Sequence, residues 1–350
     1  MESPAWTITL IVVLGVAAQW LAWRVRVPSI LLLLASGLVV GPVAAWLTGE
    51  ALLDPDSIIG EDLLLSLVGI SVGLILYEGG LSLRFREIAG TGGAVWRLVS
   101  IGAVATWVLA GLSAWWLLDM PPAIATLLGG IMVVTGPTVV GPLISHIRPR
   151  GPSAAVLRWE GIVIDPVGAL AAVLVYEAIL AVNAADGTAA AGAMAVAMAI
   201  ATTVVVGGGL GLLAAWLLAI AMQRYWIPEH LQNPVSLLLV VAIFVAADTV
   251  QKESGLLATT VMGIALANQR RANVGHILEF KENLRILLIS ALFVVLGARL
   301  APDDLRLIDW PAAVFVATLI FIVRPVSVWL STIGVGFDLR QRLFIAWLAP

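Results

Sequence analysis

The sequence predicts an all-α polytopic membrane protein. Composition is the first reason: 61% of the 350 residues are hydrophobic and 12% charged, where a soluble domain carries about 45–50% apolar and about 25% charged residues. Patterning is the second, because predominantly apolar runs of about 18 residues or more recur from end to end, each able to cross a hydrocarbon core as a helix. The third is the placement of basic residues, which alternates with those runs.

Eleven apolar windows stand out at a width of about 19 residues. Span 1, 5–23, is closed by Arg24 and Arg26. Span 2, 28–47, leads without a cation into span 3, 62–81, which is followed by Arg84, Arg86 and Arg97. Spans 4 and 5, 95–118 and 122–145, have no cation between them, and Arg148, Arg150 and Arg158 follow. Spans 6 and 7, 159–181 and 190–222, repeat the pattern with Arg224 after the second. Span 8, 235–250, meets Lys252; span 9, 254–268, is followed by Arg270, Arg271, Lys281 and Arg285. Arg299 and Arg306 lie at and after the end of span 10, 285–301, and Arg340 and Arg342 follow span 11, 310–333. Fifteen of the 19 Lys and Arg therefore follow odd-numbered spans. By the positive-inside rule the odd loops are cytoplasmic and the N-terminus lies outside.

Whole function classes drop out. No cysteine is present, which removes disulfides and thiolate chemistry, and the three histidines fall in loops, which leaves no obvious metal cluster. A net charge of −3 offers nucleic acid no basic surface. The start, MESPAW, lacks the basic region of a signal peptide. No soluble domain is visible, so residues 1–350 read as a single transmembrane domain. The end, RLFIAWLAP, reads as a loop entering a further span, which leads us to expect a longer chain.

An ionisable side chain at the bilayer centre costs about 2.5–3.5 kcal/mol on insertion scales, so the few present carry the information. They are Glu160 and Asp165 in span 6 and Arg324 in span 11, with Glu177 near a span end and Glu78 and Asp248 towards span ends as accessory candidates. Five positions separate Glu160 from Asp165, so they do not share one helix face. Arg324 is the sole intramembrane cation and is expected to pair with Glu160, since a lone charge costs more than the pair. Asp165 is left without a cation of its own. One reading is a neutral carboxyl bonded to a neighbouring helix; the other is a carboxylate that takes a proton or a cation in turn.

Span 5 bears on that choice. In MVVTGPTVVGPL, Gly136–Pro137 and Gly141–Pro142 interrupt the span, and proline removes a backbone donor. An unwound segment here would offer freed carbonyls and the Thr135 and Thr138 hydroxyls as oxygen ligands for a hard cation. The alternative is a proline kink in a packed helix.

Five stretches in order, YEGGLSLRFREI (77–88), TGPTVVGPLI (135–144), WEGIVIDPVGA (159–169), SGLLATTVMGIALAN (254–268) and VRPVSVW (323–329), resemble the NhaP-type sodium:proton antiporters of the monovalent cation:proton antiporter family. The resemblance covers nearly the whole chain. It implies an inverted-repeat antiporter fold with a broken helix in span 5 and 13 spans, of which about 11 are present. It further implies a homodimer in a bacterial inner membrane, no enzymatic activity and no cofactor, with Na+ (or K+) and H+ as cargo. Asp165 matches the ion- and proton-binding aspartate of the family's Asn-Asp motif and Thr135 the threonine of its unwound Thr-Asp-Pro stretch. Glu160 and Arg324 match its glutamate–arginine pair, and Glu78 a family glutamate of unassigned role.

The departures fall around the same carboxylate. Gly136 stands where the family has aspartate, Ile164 where it has asparagine, and Gly161 where serine is common. Two or three side-chain oxygens are lost, and a poorer ligand set favours K+, which dehydrates more easily. A single binding carboxylate implies electroneutral exchange, one charge for one, with transport bell-shaped in pH. The rival classes are a channel or non-transporting sensor, and an intramembrane aspartyl protease built on Asp165 and Asp248. The protease reading is opposed by FVAADTV, which lacks the Gly-x-Gly-Asp pattern.

Overall fold

Helices account for nearly all of the chain that the computed structural model describes, residues 4–136, 144, 147, 153–183, 189–269, 275–301, 303 and 309–348. In chain order they are α1 Pro4–Val25, α2 Ser29–Thr48, α3 Pro55–Ile59, α4 Glu61–Leu81, α5 Gly92–Leu117 and α6 Pro122–Ile131. There follow α7 Ser153–Asn183, α8 Ala189–Gln223, α9 Glu229–Val250, α10 Ser254–Asn268, α11 Gly275–Ala298, α12 Trp310–Ser331 and α13 Leu339–Leu348. The protein is a polytopic helical membrane protein. Among the described residues, eight helices are long and apolar enough to cross a bilayer, and α6, α10 and the Asn283–Ala298 part of α11 are shorter apolar helices.

Each apolar window overlaps one of these helices, but the ends differ. α7 begins at Ser153 and runs to Asn183, and α9 begins at Glu229. Apolar windows mark only the hydrocarbon crossing, and polar residues continue the helix into the headgroups. Span 5 differs the other way, because α6 stops at Ile131. Exposed tryptophans lie near several helix ends, among them Trp23, Trp46, Trp96, Trp116, Trp226 and Trp310. Indoles are enriched near the ends of membrane spans, where one side of the ring is apolar and the other wet.

The described chain forms two compact units, residues 1–75 with 275–309 and residues 76–274 with 310–350. In the first, α11 packs on α1 and α2 around Leu33, Leu53 and Val294, all fully buried. A Cβ at Gly297 would lie 3.1 Å from Gly37 Cα, so only glycine permits that crossing. The Val40 carbonyl accepts from both Leu52 and Leu53 N–H at 2.9 and 3.1 Å, which folds the following loop back and buries Leu53. Arg299 meets Asp56 at 2.8 Å and Glu61 at 3.2 Å.

The second unit carries most of the intramembrane charge. α4 crosses α10 where a Cβ at Gly80 would sit 2.7 Å from the Thr260 carbonyl and 3.2 Å from Gly263 Cα. The Tyr77 and Ser236 hydroxyls, both buried, meet at 2.6 Å and tie α4 to α9. α13 turns back after α12 and packs its Ile345, Ala346 and Leu348 into the cluster that holds Leu157 and Trp159 of α7. Among the described residues, three spans contain a π-helical turn: Val39–Val43 in α2, Leu98–Gly102 in α5 and Leu319–Val323 in α12.

Candidate ion-binding site

Both central carboxylates lie on α7, which contains one internal proline, Pro166. Proline has no N–H, so the Ile162 carbonyl, four residues back, loses its helical donor within a turn of Asp165. Two crossings bracket Asp165. Three residues before it, Ile162 packs on α4, where a Cβ at Gly79 would lie 3.2 Å from Ile162 Cγ1. Three residues after it, Gly168 abuts Val134: a Cβ there would come within 3.5 Å of the Val134 backbone nitrogen and nearer still to its side chain. Positions three apart are neighbours on a helix surface, so Asp165 occupies the strip of α7 between α4 and the chain leaving α6.

That chain is unwinding where it passes. After Ile131 the N–H to carbonyl distances lengthen from 3.0 Å at Met132 to 3.3 Å at Val133 and 3.4 Å at Val134. Val134, Thr135 and Gly136 are not helical. The sequence accounts for this, because Pro137 biases Gly136 away from helical angles. Thr138, Pro137, Gly141 and Pro142 lie outside the described residues, so most of the interruption expected in span 5 does too. Asp165 Oδ1 and Thr135 Oγ1 are both buried and have no hydrogen-bond partner among the described residues. Unpaired oxygens in an apolar interior are costly. A carboxylate and a hydroxyl of this kind suit a hard cation or a proton.

Glu160 faces elsewhere. Arg324 Nη2 lies 2.7 Å from Glu160 Oε1, with the two side chains 8% and 2% exposed. Nearer the end of α7, Trp159 stacks on Phe85 at 5.4 Å, and Arg158 and Glu87 pair at 3.6 Å between partly exposed side chains. Glu78 precedes the Gly79–Ile162 crossing by one residue. Asp248 lies in the last turn of α9, where its Oδ1 accepts from the Glu253 N–H at 2.7 Å and its Oδ2 lies 3.7 Å from Lys252 Nζ. Ile164 is 2% exposed in the apolar cluster with Val133, Leu157 and Ile162. It brings no oxygen to the site, and Gly136 offers only backbone.

Residues 8–350 match the family described as sodium/hydrogen exchanger, transmembrane. The chain belongs to this family. Among curated relatives of this exchanger chain, the K(+)/H(+) antiporter NhaP of Alkalimonas amylolytica is 28% identical over 99% of the chain and 59% of its own length. The Na(+)/H(+) antiporter 1 of Methanocaldococcus jannaschii is 24% identical over 97% of the chain and 79% of its own length. The solved sodium proton antiporter MjNhaP1 from Methanocaldococcus jannaschii at pH 8 superposes with a TM-score of 0.78 at 22% identity, covering 97% of this chain and 80% of that one, which fixes the exchanger fold. The chain thus spans little more than half the length of the first K(+)/H(+) relatives it matches.

Two polar residues of this exchanger chain escape a reading by charge alone. Asn268, the last residue of α10, donates to the Leu83 carbonyl and accepts from the Phe85 N–H, both at 2.8 Å. It therefore clips α10 to the segment leaving α4. Ser327 on α12 bonds across to α5. Their signal is a polar side chain at a packed face, which shows only once the faces are known.

Proposed function

We propose that this chain exchanges a monovalent cation for H+ across the membrane, with Asp165 binding the two in turn as it is exposed to one side and then the other. The carrying observation is the Asp165 carboxylate oxygen, buried and unpartnered among the described residues, on the strip of α7 that meets the unwinding segment of Thr135. Thr135, the Gly136 backbone and Thr138 complete the ligand set in this reading, with Glu78 and Asp248 as accessory groups and Glu160–Arg324 as the structural pair. One carboxylate carries one charge each way, so a cycle moves no net charge and the pH gradient drives it, at about 1.4 kcal/mol per pH unit. The 350 residues act as one transport domain, as a homodimer, in a bacterial inner membrane with the odd loops cytoplasmic.

Na+ is the cargo that the family resemblance favours. K+ is a second reading with its own observation: Ile164 is sunk in the apolar cluster and Gly136 has no side chain, so the site has fewer oxygens with which to strip a small, tightly hydrated ion. The relatives' names, potassium for one and sodium for another, support both.

The test uses liposomes with an acid interior and a trapped ΔpH dye, to which Na+, K+ or Li+ is added outside. One cation should dissipate the gradient in wild type without a membrane potential, and Asp165→Asn should be silent. A mutant as active as wild type would make Asp165 a structural carboxyl.

A further inference from the structure

Two arginines from different helices converge on the end of α12 that the charge pattern puts inside. The chain leaves α12 after Ser331 and turns at Gly334, whose φ of +76° favours glycine. Arg342 of α13 donates through Nη2 to the Thr332 carbonyl at 3.2 Å, and Arg97 of α5 donates through Nη1 to the neighbouring Ile333 carbonyl. The contact between α5 and α12 fixes where Arg97 stands. Thr106 Oγ1 donates to Ser327 Oγ and Ser327 Oγ to the Gly102 carbonyl, both at 2.9 Å and both buried. A Cβ at Gly102 would lie 2.8 Å from Ser331 Oγ, so the two helices stay close as far as the last turn of α12.

Capping a helix end explains part of this charge and leaves the rest. A helix C-terminus presents about half an elementary negative charge. The two guanidiniums bring two positive ones, and the exposed Arg340 in the first turn of α13 adds a third. Among the described residues, Arg97, Arg340 and Arg342 form no ion pair. The single acid of the turn 332–338, Asp338, is engaged by the Gln341 N–H at 2.7 Å. A guanidinium has five N–H donors, and each of the two spends one on a carbonyl. Arg342 Nε is buried without a partner among the described residues.

The surroundings name the anion. The Arg342 guanidinium lies 5.2 Å over the Trp329 ring, and that indole is exposed, as are Trp96 beside Arg97 and Trp347 on α13. Exposed indoles near span ends sit at headgroup level. The phosphate found at that depth is a lipid phosphodiester, and arginine takes phosphate oxygens in pairs. Basic pockets between helices on the cytoplasmic side suit anionic headgroups, and the surplus of positive charge favours a lipid with no cation of its own.

We propose that Arg97, Arg340 and Arg342 form a docking site for the headgroup of an anionic phospholipid, whose phosphate ties α5 to the turn between α12 and α13. The site is separate from Asp165 and does not depend on which cation is exchanged.

The experiment measures the melting temperature of the protein from the complete reading frame in detergent. Phosphatidylglycerol, phosphatidylcholine with the same acyl chains, or inorganic phosphate is added at equal concentration. Phosphatidylglycerol should raise the melting temperature by about 3 °C or more over phosphatidylcholine, and the gain should shrink at high ionic strength. Arg97→Gln and Arg342→Gln should each remove about half of that gain or more, whatever they do in phosphatidylcholine. Arg224, stacked on Trp226 at 5.4 Å, lies at another inside end, and Arg224→Gln should keep the gain. No gain in wild type would overturn the site. So would a gain that survives Arg97→Gln and Arg342→Gln, which would make both arginines helix caps alone. An equal loss in Arg224→Gln would replace the site with diffuse attraction to an anionic surface, and a matching gain from inorganic phosphate would replace the lipid with a free anion. Should the two glutamine variants fail to fold, Arg340→Gln decides, because that side chain is exposed and caps no carbonyl. It should lower the gain by about a third or more, and an unchanged gain would overturn the proposal.

Discussion

Arg324 and Glu160 meet at 2.7 Å with both side chains almost fully buried. Removing one partner strands the other charge, and such a loss costs about 3–5 kcal/mol. Arg324→Ala and Glu160→Ala should therefore each lower the melting temperature in detergent sharply. The double change Glu160→Gln/Arg324→Met should cost less than either single one. Additive losses in thermal unfolding would show that the two charges do not depend on each other.

Asn268 ties α10 to the chain after α4 through the Leu83 carbonyl and the Phe85 N–H. Asn268→Leu keeps the volume and strands both backbone groups, at about 1–3 kcal/mol for each. The segment 82–88 should then exchange amide hydrogens faster while α9 is unaffected. Unaltered exchange would mean that water replaces the asparagine.

Gly263 lies so close to α4 that an added Cβ would come 3.1 Å from Leu81 N and nearer still to the Tyr77 carbonyl. Backbone cannot rotate aside as a side chain can, so overpacking here should cost at least about 1–3 kcal/mol. Gly263→Val should reduce folded yield in fluorescence-detected size exclusion, while Gly208→Val, at a glycine with open space around it, should not.

Glu253, in the turn between α9 and α10, has its carboxyl pushed above the usual range, chiefly by desolvation and secondly by Asp248, with Lys252 opposing. A raised folded value means that the native state holds this proton more tightly than the unfolded chain, so stability falls as pH rises from about 4.5 through the raised value. Glu253→Gln should match wild type in melting temperature at acid pH and exceed it at neutral pH. A gap that is constant across the range would trace to packing rather than to charge.

Charge rarity made Asp165, Glu160 and Arg324 legible in sequence, because each stands against an apolar background. The same contrast failed for Ser327, Thr106 and Asn268, since small polar residues are common in membrane helices and their partners depend on which faces meet. Helix ends were blurred for a related reason: hydropathy registers the hydrocarbon core, while α7 and α9 continue through Arg158 and His230 into the headgroups. The early stop of α6 was foreshadowed by Gly136–Pro137, whereas the π turns were not. A run such as LIFIV is as apolar and as helix-compatible as its neighbours, and its wider ring answers to tertiary packing.

The π turn Leu319–Val323 has a consequence for inheritance. A π turn holds one residue more than the α-turn it replaces, and each residue advances a helix by about 100°. The two halves of α12 therefore follow different stripes, and aligned sequences would meet at this point a phase slip that looks like an insertion. Deleting one residue between 319 and 323 would leave two sound α-helical halves and still swing Arg324, Ser327 and Ser331 round the axis together. Exchange of one aliphatic residue for another in the run would leave them where they are. What this stretch transmits is a number of residues rather than their identities.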